Sequence, residues 1–258
     1  MSFGVFIRTA ILLALLTGIL LFVGFAVGGI GGMTVFLIIA FVINFASFWW
    51  SDKIVLRMYG AEPYENKKIT AMVSDIAKTA GIPVPKIYLI KTDVPNAFAT
   101  GRDPKHAAVA VTHGLISRLN DDEIKGVLAH EIAHVKNRDT LISVMAATIA
   151  GAISYIAQLA WFLSFGDRDR NTLLLLPLVI LAPFAAMIVQ LAISRGREYG
   201  ADYTGAIFIK NPLALASALI KISHMAKSYK MRGNYATSHM WIVNPFSGDV
   251  IASLFSTH

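Results

Sequence analysis

Cysteine is absent from the 258-residue chain. That excludes disulfides, thiolate zinc ligands and a cysteine nucleophile, and it is compatible with a reducing cytosolic face. Charge is scarce as well. Asp, Glu, Lys and Arg make up 15% of the residues and hydrophobic types 55%, where soluble domains carry about 25% charged residues. With a mean hydropathy of +0.60, the composition is too apolar for a typical soluble enzyme and puts a membrane class first. Acidic residues are the scarcer sign, which leaves a formal net charge of +7. The basic residues are scattered beside long apolar runs, so anionic lipid and membrane topology account for them and nucleic acid does not. Internal repeats and low-complexity tracts are missing too.

What is present is a set of four apolar runs, at residues 9–30, 33–50, 141–165 and 173–193, with no Asp, Glu, Lys or Arg inside any of them. A helix needs about 20 apolar residues to cross the hydrocarbon core. The second run ends in Phe48, Trp49 and Trp50, as suits aromatic rings at a lipid–water boundary. One such run would equally suit the core helix of a soluble protein, but four leave too little polar surface to cover a soluble globule. The first run exceeds the h-region of a cleaved signal peptide, about 7–15 residues, and a second follows at once through Gly31 and Gly32. It therefore reads as an anchor. The turn near residues 28–32 has no Lys or Arg, and in the turn between the last two runs Asp167, Arg168, Asp169 and Arg170 cancel. Lys53, Arg57, Lys67, Lys68, Arg195 and Arg197 lie in the polar segments, so the positive-inside rule places both termini and both polar segments in the cytoplasm.

The predicted organisation is two N-terminal transmembrane helices (1–50), a cytoplasmic catalytic segment (51–140), two further hydrophobic helices (141–193) and a second cytoplasmic catalytic segment (194–258). Within the first polar segment, residues 65–81 read as an amphipathic helix with Ile69, Met72, Val73, Ile76 and Ala80 on one face, ended by Gly81-Ile82-Pro83. Strand-like stretches follow at 86–90 and 107–112, with a short run at 96–100 between them. Asn120 then offers an N-cap, Asp121 and Asp122 suit a first helical turn, and Glu123 completes a capping-box pattern. That helix passes through Ile124, Val127, Leu128, Glu131 and Val135, and the third apolar run offers it a continuation.

The chemistry stands on this helix, in His130-Glu131-Ile132-Ala133-His134, an H-E-x-x-H motif. Residues four apart lie slightly more than one turn apart, so both imidazoles project from one face and can hold one ion. Glu131 lies beside them, placed to take a proton from an activated water without itself being a ligand. The bland alternative is an exposed charged helix face with two incidental histidines. Catalytic zinc takes three protein ligands and keeps one position open. The second polar segment offers Glu198, Asp202, His224, His239, Asp249 and His258 as sources of the third. Glu198 and Asp202 form an E-x-x-x-D pair on one helical face. In that arrangement Glu198 can bind the metal while Asp202 accepts the second N–H of a ligand histidine. The rival reading of Glu198 is a surface partner for Arg195 or Arg197.

Taken together, these motifs resemble the HtpX membrane metallopeptidases, relatives of the CAAX prenyl proteases and of the mitochondrial Oma peptidases. The resemblance covers nearly the whole chain. It includes residues 95–101 (PNAFATG), 109–112 (VAVT), the H-E-x-x-H helix, the Glu198-to-Asp202 motif, residues 242–245 (IVNP) and the terminal LFSTH. It implies a multi-pass α-helical membrane protein with a cytoplasmic α+β zincin-like domain of the glutamate-ligand (gluzincin) type. The implied activity is zinc-dependent endopeptidase action on misfolded or damaged membrane proteins, as protein quality control in a stress response, at the inner cell membrane. It assigns one zinc per chain to His130, His134 and Glu198, and catalysis to Glu131. It also puts Asn96 on a strand that binds substrate backbone and makes His258 an oxyanion stabiliser. The family continues past this Ser-Thr-His with prolines and a further helix, so a longer natural chain is expected.

An intramembrane-cutting protease is disfavoured because Asp121, Asp122, Lys125, Lys136, Arg138 and Asp139 crowd the motif. A CAAX-type prenyl-protein protease shares this site, though four spans argue against its larger barrel of helices. A zincin-based membrane signal transducer without a general proteolytic role needs an outward sensor, for which the outward turns are too short.

Overall fold

The computed structural model describes residues 3–141, 143 and 195–226. The predicted spans at 141–165 and 173–193 lie outside these residues apart from Leu141 and Ser143, as do the Asp167–Arg170 turn, His239, Asp249 and His258. The described residues fall into two compact units, one holding residues 3–49 and the other residues 50–141, 143 and 195–226.

The first unit consists of helix α1 (Phe3–Trp49), interrupted by non-helical backbone at Gly28 (φ −143°, ψ 23°) and Gly29 (φ 57°, ψ −142°). Only glycine adopts the latter conformation without strain. The two halves fold back on each other, because the Asn44 amide donates to the Thr17 hydroxyl at 3.0 Å. They also meet closely at Gly24, where a Cβ would lie 2.7 Å from the Gly32 carbonyl oxygen. The expected turn between the first two apolar runs is therefore a glycine break. One segment of it, Gly28–Ala46, is long and apolar enough to cross a membrane. At 1.5 Å per residue its 19 residues reach about 28 Å, close to the hydrocarbon thickness.

The second unit is α+β. Helix α2 (Ser51–Met58) leads to strand β1 (Glu62–Pro63) and helix α3 (Lys67–Ala80). Strands β2 (Lys86–Ile90), β3 (Ala97–Thr100) and β4 (Ala108–Thr112) follow, then helices α4 (His113–Arg118) and α5 (Asp121–Asn137). Helices α6 (Arg195–Ile209) and α7 (Pro212–Ala226) complete the described part. The α3 helix starts two residues later than its periodicity predicts, because the Asn66 side chain accepts from the Lys68 and Ile69 amides. Gly81, at φ 70°, closes it. The sheet runs β1-β2-β4-β3, parallel between β2 and β4 and antiparallel elsewhere. Strands alternate faces at every residue. Ala97, Ala99, Val109 and Val111 therefore join the core around α3 and α5, while Phe98, Ala108 and Ala110 pack with Val55 and Leu56 of α2.

Helix α5 is the axis of this unit, in contact with α3, α6, α7 and the strands β3 and β4. Eleven of its residues are buried, from Glu123 to Val135. Its predicted capping box forms, with the Glu123 amide on Asn120 Oδ1 at 2.9 Å and the Asn120 amide on Glu123 Oε2 at 3.0 Å. The helix does not run on unbroken toward the third apolar run. It stops at Asn137, where Arg138 turns left-handed (φ 62°).

The capping glutamate has a second role that the sequence does not reveal. Its buried carboxylate receives Ser217 Oγ at 2.6 Å and the Lys221 ammonium at 2.7 and 2.9 Å, tying α7 to the start of α5. Burial pushes this carboxyl up, but the bonds from Lys221, Ser217 and the Asn120 amide outweigh it and hold it below the usual range. A depressed folded-state pKa contributes stability above the unfolded value and loses it as pH falls through the folded value. Glu123→Ala should therefore cost about 1–3 kcal/mol near neutrality. The gap from the parent chain should close as pH falls below the ordinary 4.5 of this carboxyl. Thermal melts of both proteins in detergent across that range check it, and a gap independent of pH would show that the ion pair contributes nothing.

Candidate metal centre

His130 and His134 occupy one face of α5, as four-residue spacing requires. Opposite them, Glu198 and Asp202 are spaced the same way on α6. The two helices approach closely because α6 carries Gly205 at the crossing. A Cβ there would lie 3.0 Å from the Ala129 carbonyl carbon and the His130 nitrogen.

This crossing brings three donor atoms to one point. His134 Nε2 lies 3.1 Å from His130 Nε2, and Glu198 Oε2 lies 3.6 Å from His130 Nε2 and 3.5 Å from His134 Nε2. The point equidistant from a 3.1, 3.5 and 3.6 Å triangle is about 2.0 Å from each corner, and zinc bonds to imidazole and carboxylate are about 2.0–2.2 Å. Asp202 Oδ1 sits 2.8 Å from His130 Nδ1. The separation suits a hydrogen bond, but the carboxylate lies off the ring's N–H axis, so the nitrogen is left without an aligned partner.

The electrostatics agree with a cation at that point. Burial alone would lower the pKa of His134, yet Asp139 and Glu198 outweigh it and push it up to about 10. Burial likewise opposes charge on His130, and Asp202 and Glu198 leave its pKa raised. Two imidazoles whose Nε2 atoms are 3.1 Å apart cannot both carry a proton there. One shared cation satisfies the carboxylates where two protons cannot. The donor set therefore fits zinc, which favours imidazole and carboxylate ligands in tetrahedral array.

Glu131 is 4% exposed, and burial raises its pKa against the pull of the two histidines. The Ala99 amide of β3 donates to it, which links α5 to the sheet edge. Asn96 immediately precedes β3 and is 1% exposed. Its side-chain oxygen accepts from the Ala97 amide at 3.0 Å. Its backbone amide donates to Thr112 Oγ1 at 2.9 Å, and its carbonyl accepts from the Thr112 amide at 3.0 Å. The structure thus brings His130, Glu131, His134, Glu198 and Asp202 together, and sets Asn96 at the end of the strand that touches Glu131. Two further residues border the site, Asp139 and Arg197. Neither stands at helical spacing from the histidines, so no periodicity in the sequence points to them.

The sequence matches the profile of peptidase family M48 over residues 63–258. The chain belongs to that family. Three proteases, each named an HtpX homolog, are similar over nearly their full lengths. Those of Pyrococcus furiosus and Thermococcus sibiricus are 51% and 49% identical, with 100% of this chain and 93% of the relative aligned in each case. The protease of Persephonella marina is 51% identical, over 98% of this chain and 92% of its own. Among solved structures, Ste24p of S. mikatae shares the fold, with a TM-score of 0.50 and 22% identity over 96% of this chain. This chain spans 59% of that one. As a member of M48 the protein is a metallopeptidase, a hydrolase, and M48 metallopeptidases depend on zinc in general.

The close helix crossing makes a specific demand on α6. Gly205→Ala would force a Cβ against backbone that has little freedom to yield, widening the triangle and costing about 1–3 kcal/mol of stability. Zinc affinity should fall with it. Gly200→Ala, whose Cβ meets nothing among the described residues, should leave zinc binding intact and gain up to about 1 kcal/mol of helix propensity. Melting curves with zinc titrations of the two variants compare them directly, and equal zinc affinity in both would refute the demand.

Proposed function

We propose that the protein is a membrane-anchored zinc endopeptidase, with one zinc per chain on His130, His134 and Glu198 and with Glu131 as the catalytic base. The observation that carries this reading is the three-atom triangle of zinc-bonding size beside a buried glutamate. When bound, zinc supplies Lewis acidity toward water and the scissile carbonyl. Glu131 accepts the proton of the attacking water and delivers it to the leaving amine. Asp202 steadies the His130 ring from its other nitrogen. Asn96, Phe98 and Thr100 face β4 across the antiparallel ladder, so the carbonyls of Ala97 and Ala99 turn outward from the sheet, their amides being taken by Asn96 Oδ1 and Glu131. An extended substrate lying along this edge would meet the scissile point beside Glu131, with Asn96 at the end of its track. His258, outside the described residues, remains the proposed oxyanion stabiliser.

The membrane part of the reading rests on α1. Ile30 is 74% exposed and Phe41 69%, side chains that suit lipid far better than water. Together with the other apolar runs this supports a multi-pass protein of the inner membrane. The segments 51–140 and 194–258 then form its cytoplasmic catalytic domain, and misfolded or damaged membrane proteins, handled under stress, are its polypeptide substrates.

Purified protein should hold one zinc per chain, lose cleavage of a destabilised membrane protein on chelation, and regain it with zinc. Glu131→Gln should keep the metal and lose about 10²–10⁴-fold in turnover. Glu198→Ala should lose both. Cleavage that survives exhaustive chelation would sink the zinc mechanism. The lack of native cysteine makes the topology equally testable, since a single introduced thiol is the only one to react. A cysteine at Ser51 should resist an impermeant thiol reagent in intact cells while one at Asn171 is labelled, and the reverse pattern would invert the orientation.

A further inference from the structure

We infer that Asp139 is a positioning residue for His134, itself held by Arg197, so that each histidine of the metal centre has its own carboxylate. The inference rests on the zinc reading above. His134 presents Nε2 to the metal point, which leaves Nδ1 to be fixed by another group. Asp139 Oδ2 lies 3.2 Å from that Nδ1. On the opposite side of the carboxylate, Arg197 Nε stands 3.7 Å from Asp139 Oδ1, an ion-pair distance rather than a hydrogen bond. Both side chains are largely buried, 14% exposed for Asp139 and 11% for Arg197. The pair therefore sits in a medium that screens it little.

This placement is built by the backbone. In an uninterrupted helix a residue five positions on lies about 140° around the axis, so Asp139 would turn away from His134. Arg138 prevents this by adopting a left-handed conformation, with its amide bonded to the His134 and Val135 carbonyls. A left-handed residue commonly closes a helix C-terminus, and here it re-aims the side chain that follows. On the far side, the Thr140 hydroxyl donates to the buried Gly101 carbonyl at 3.1 Å, so Asp139 is fixed from both ends. Arg197 is the residue before Glu198. The Asp139–Arg197 contact therefore links the end of α5 to α6 beside the third ligand. A carboxylate on Nδ1 selects the tautomer that leaves the Nε2 lone pair free and makes that nitrogen a better donor.

The test is zinc affinity of the full-length protein in detergent, measured by competition with a chromophoric chelator. Asp139→Ala should weaken zinc binding about 10–100-fold. Asp139→Asn, whose amide oxygen still accepts from Nδ1 but carries no charge, should lose less. At saturating zinc both should lower kcat while KM stays near that of the parent chain. Arg197→Gln should weaken zinc binding in the parent but add little in the Asp139→Ala background, because it acts through that carboxylate. Unchanged zinc affinity in both Asp139 variants overturns the inference, even if their zinc-free melting temperatures fall, since that pattern marks a purely structural residue. Additive effects of Arg197→Gln and Asp139→Ala overturn the role of Arg197. A parent chain that binds no zinc instead removes the reading on which the inference rests.

Discussion

The centre of this protein is an electrostatic problem that the fold creates and that one bound cation would solve. His130, His134 and Glu198 aim three lone-pair donors at one point from two helices, with Asp202 and Asp139 behind the rings. Converging donors repel one another, and burying them removes the water that would screen the repulsion. The surrounding structure must therefore hold them in place. It does so with a helix packed on nearly every side and with a glycine crossing that lets α6 come close enough to bring Glu198 to the histidines.

Other features of the second unit follow from the need to hold α5 still. Glu123 caps the helix and at the same time anchors α7 through Ser217 and Lys221, so the start of α5 is pinned by side chains 94 and 98 residues away in sequence. Gly126 allows α7 an even closer approach than Gly205 allows α6, with a Cβ at Gly126 only 2.6 Å from the Leu215 nitrogen. The far end is closed by left-handed Arg138. A rigid helix fixed at both ends is a suitable base for a site whose ligand spacing tolerates errors of only a few tenths of an ångström.

The sheet contributes less to the metal centre than to its surroundings. Its edge strand β3 is short, turns Ala97 and Ala99 toward α3 and α5, and is linked to Glu131 through the Ala99 amide. Glu131 and the edge strand are thus joined through one backbone amide. Asn96 uses its side-chain oxygen locally, on the Ala97 amide, and so stabilises the start of the strand that the proposed substrate track requires.

Much of the second unit was legible in the sequence, because the interactions responsible are local. The H-E-x-x-H spacing places two imidazoles on one face of any α-helix, the Asn120 and Glu123 pair closes its capping box within three residues, and the 86–90 strand is bounded as its composition predicts. Gly81 likewise ended α3 where expected, since only the left-handed conformation was needed. The pairing of Glu198 and Asp202 on one helical face was equally local. What only the tertiary structure decided is which groups meet across the chain. That Glu198 reaches the histidines depends on Gly205 at a helix crossing. That Glu123 holds Lys221 depends on the packing of α7. That Asp139 lies beneath His134 depends on Arg138 leaving the helical conformation, against its own preference. Sequence periodicity records the direction of a side chain about its own helix axis, but a contact between helices is set by where the axes cross.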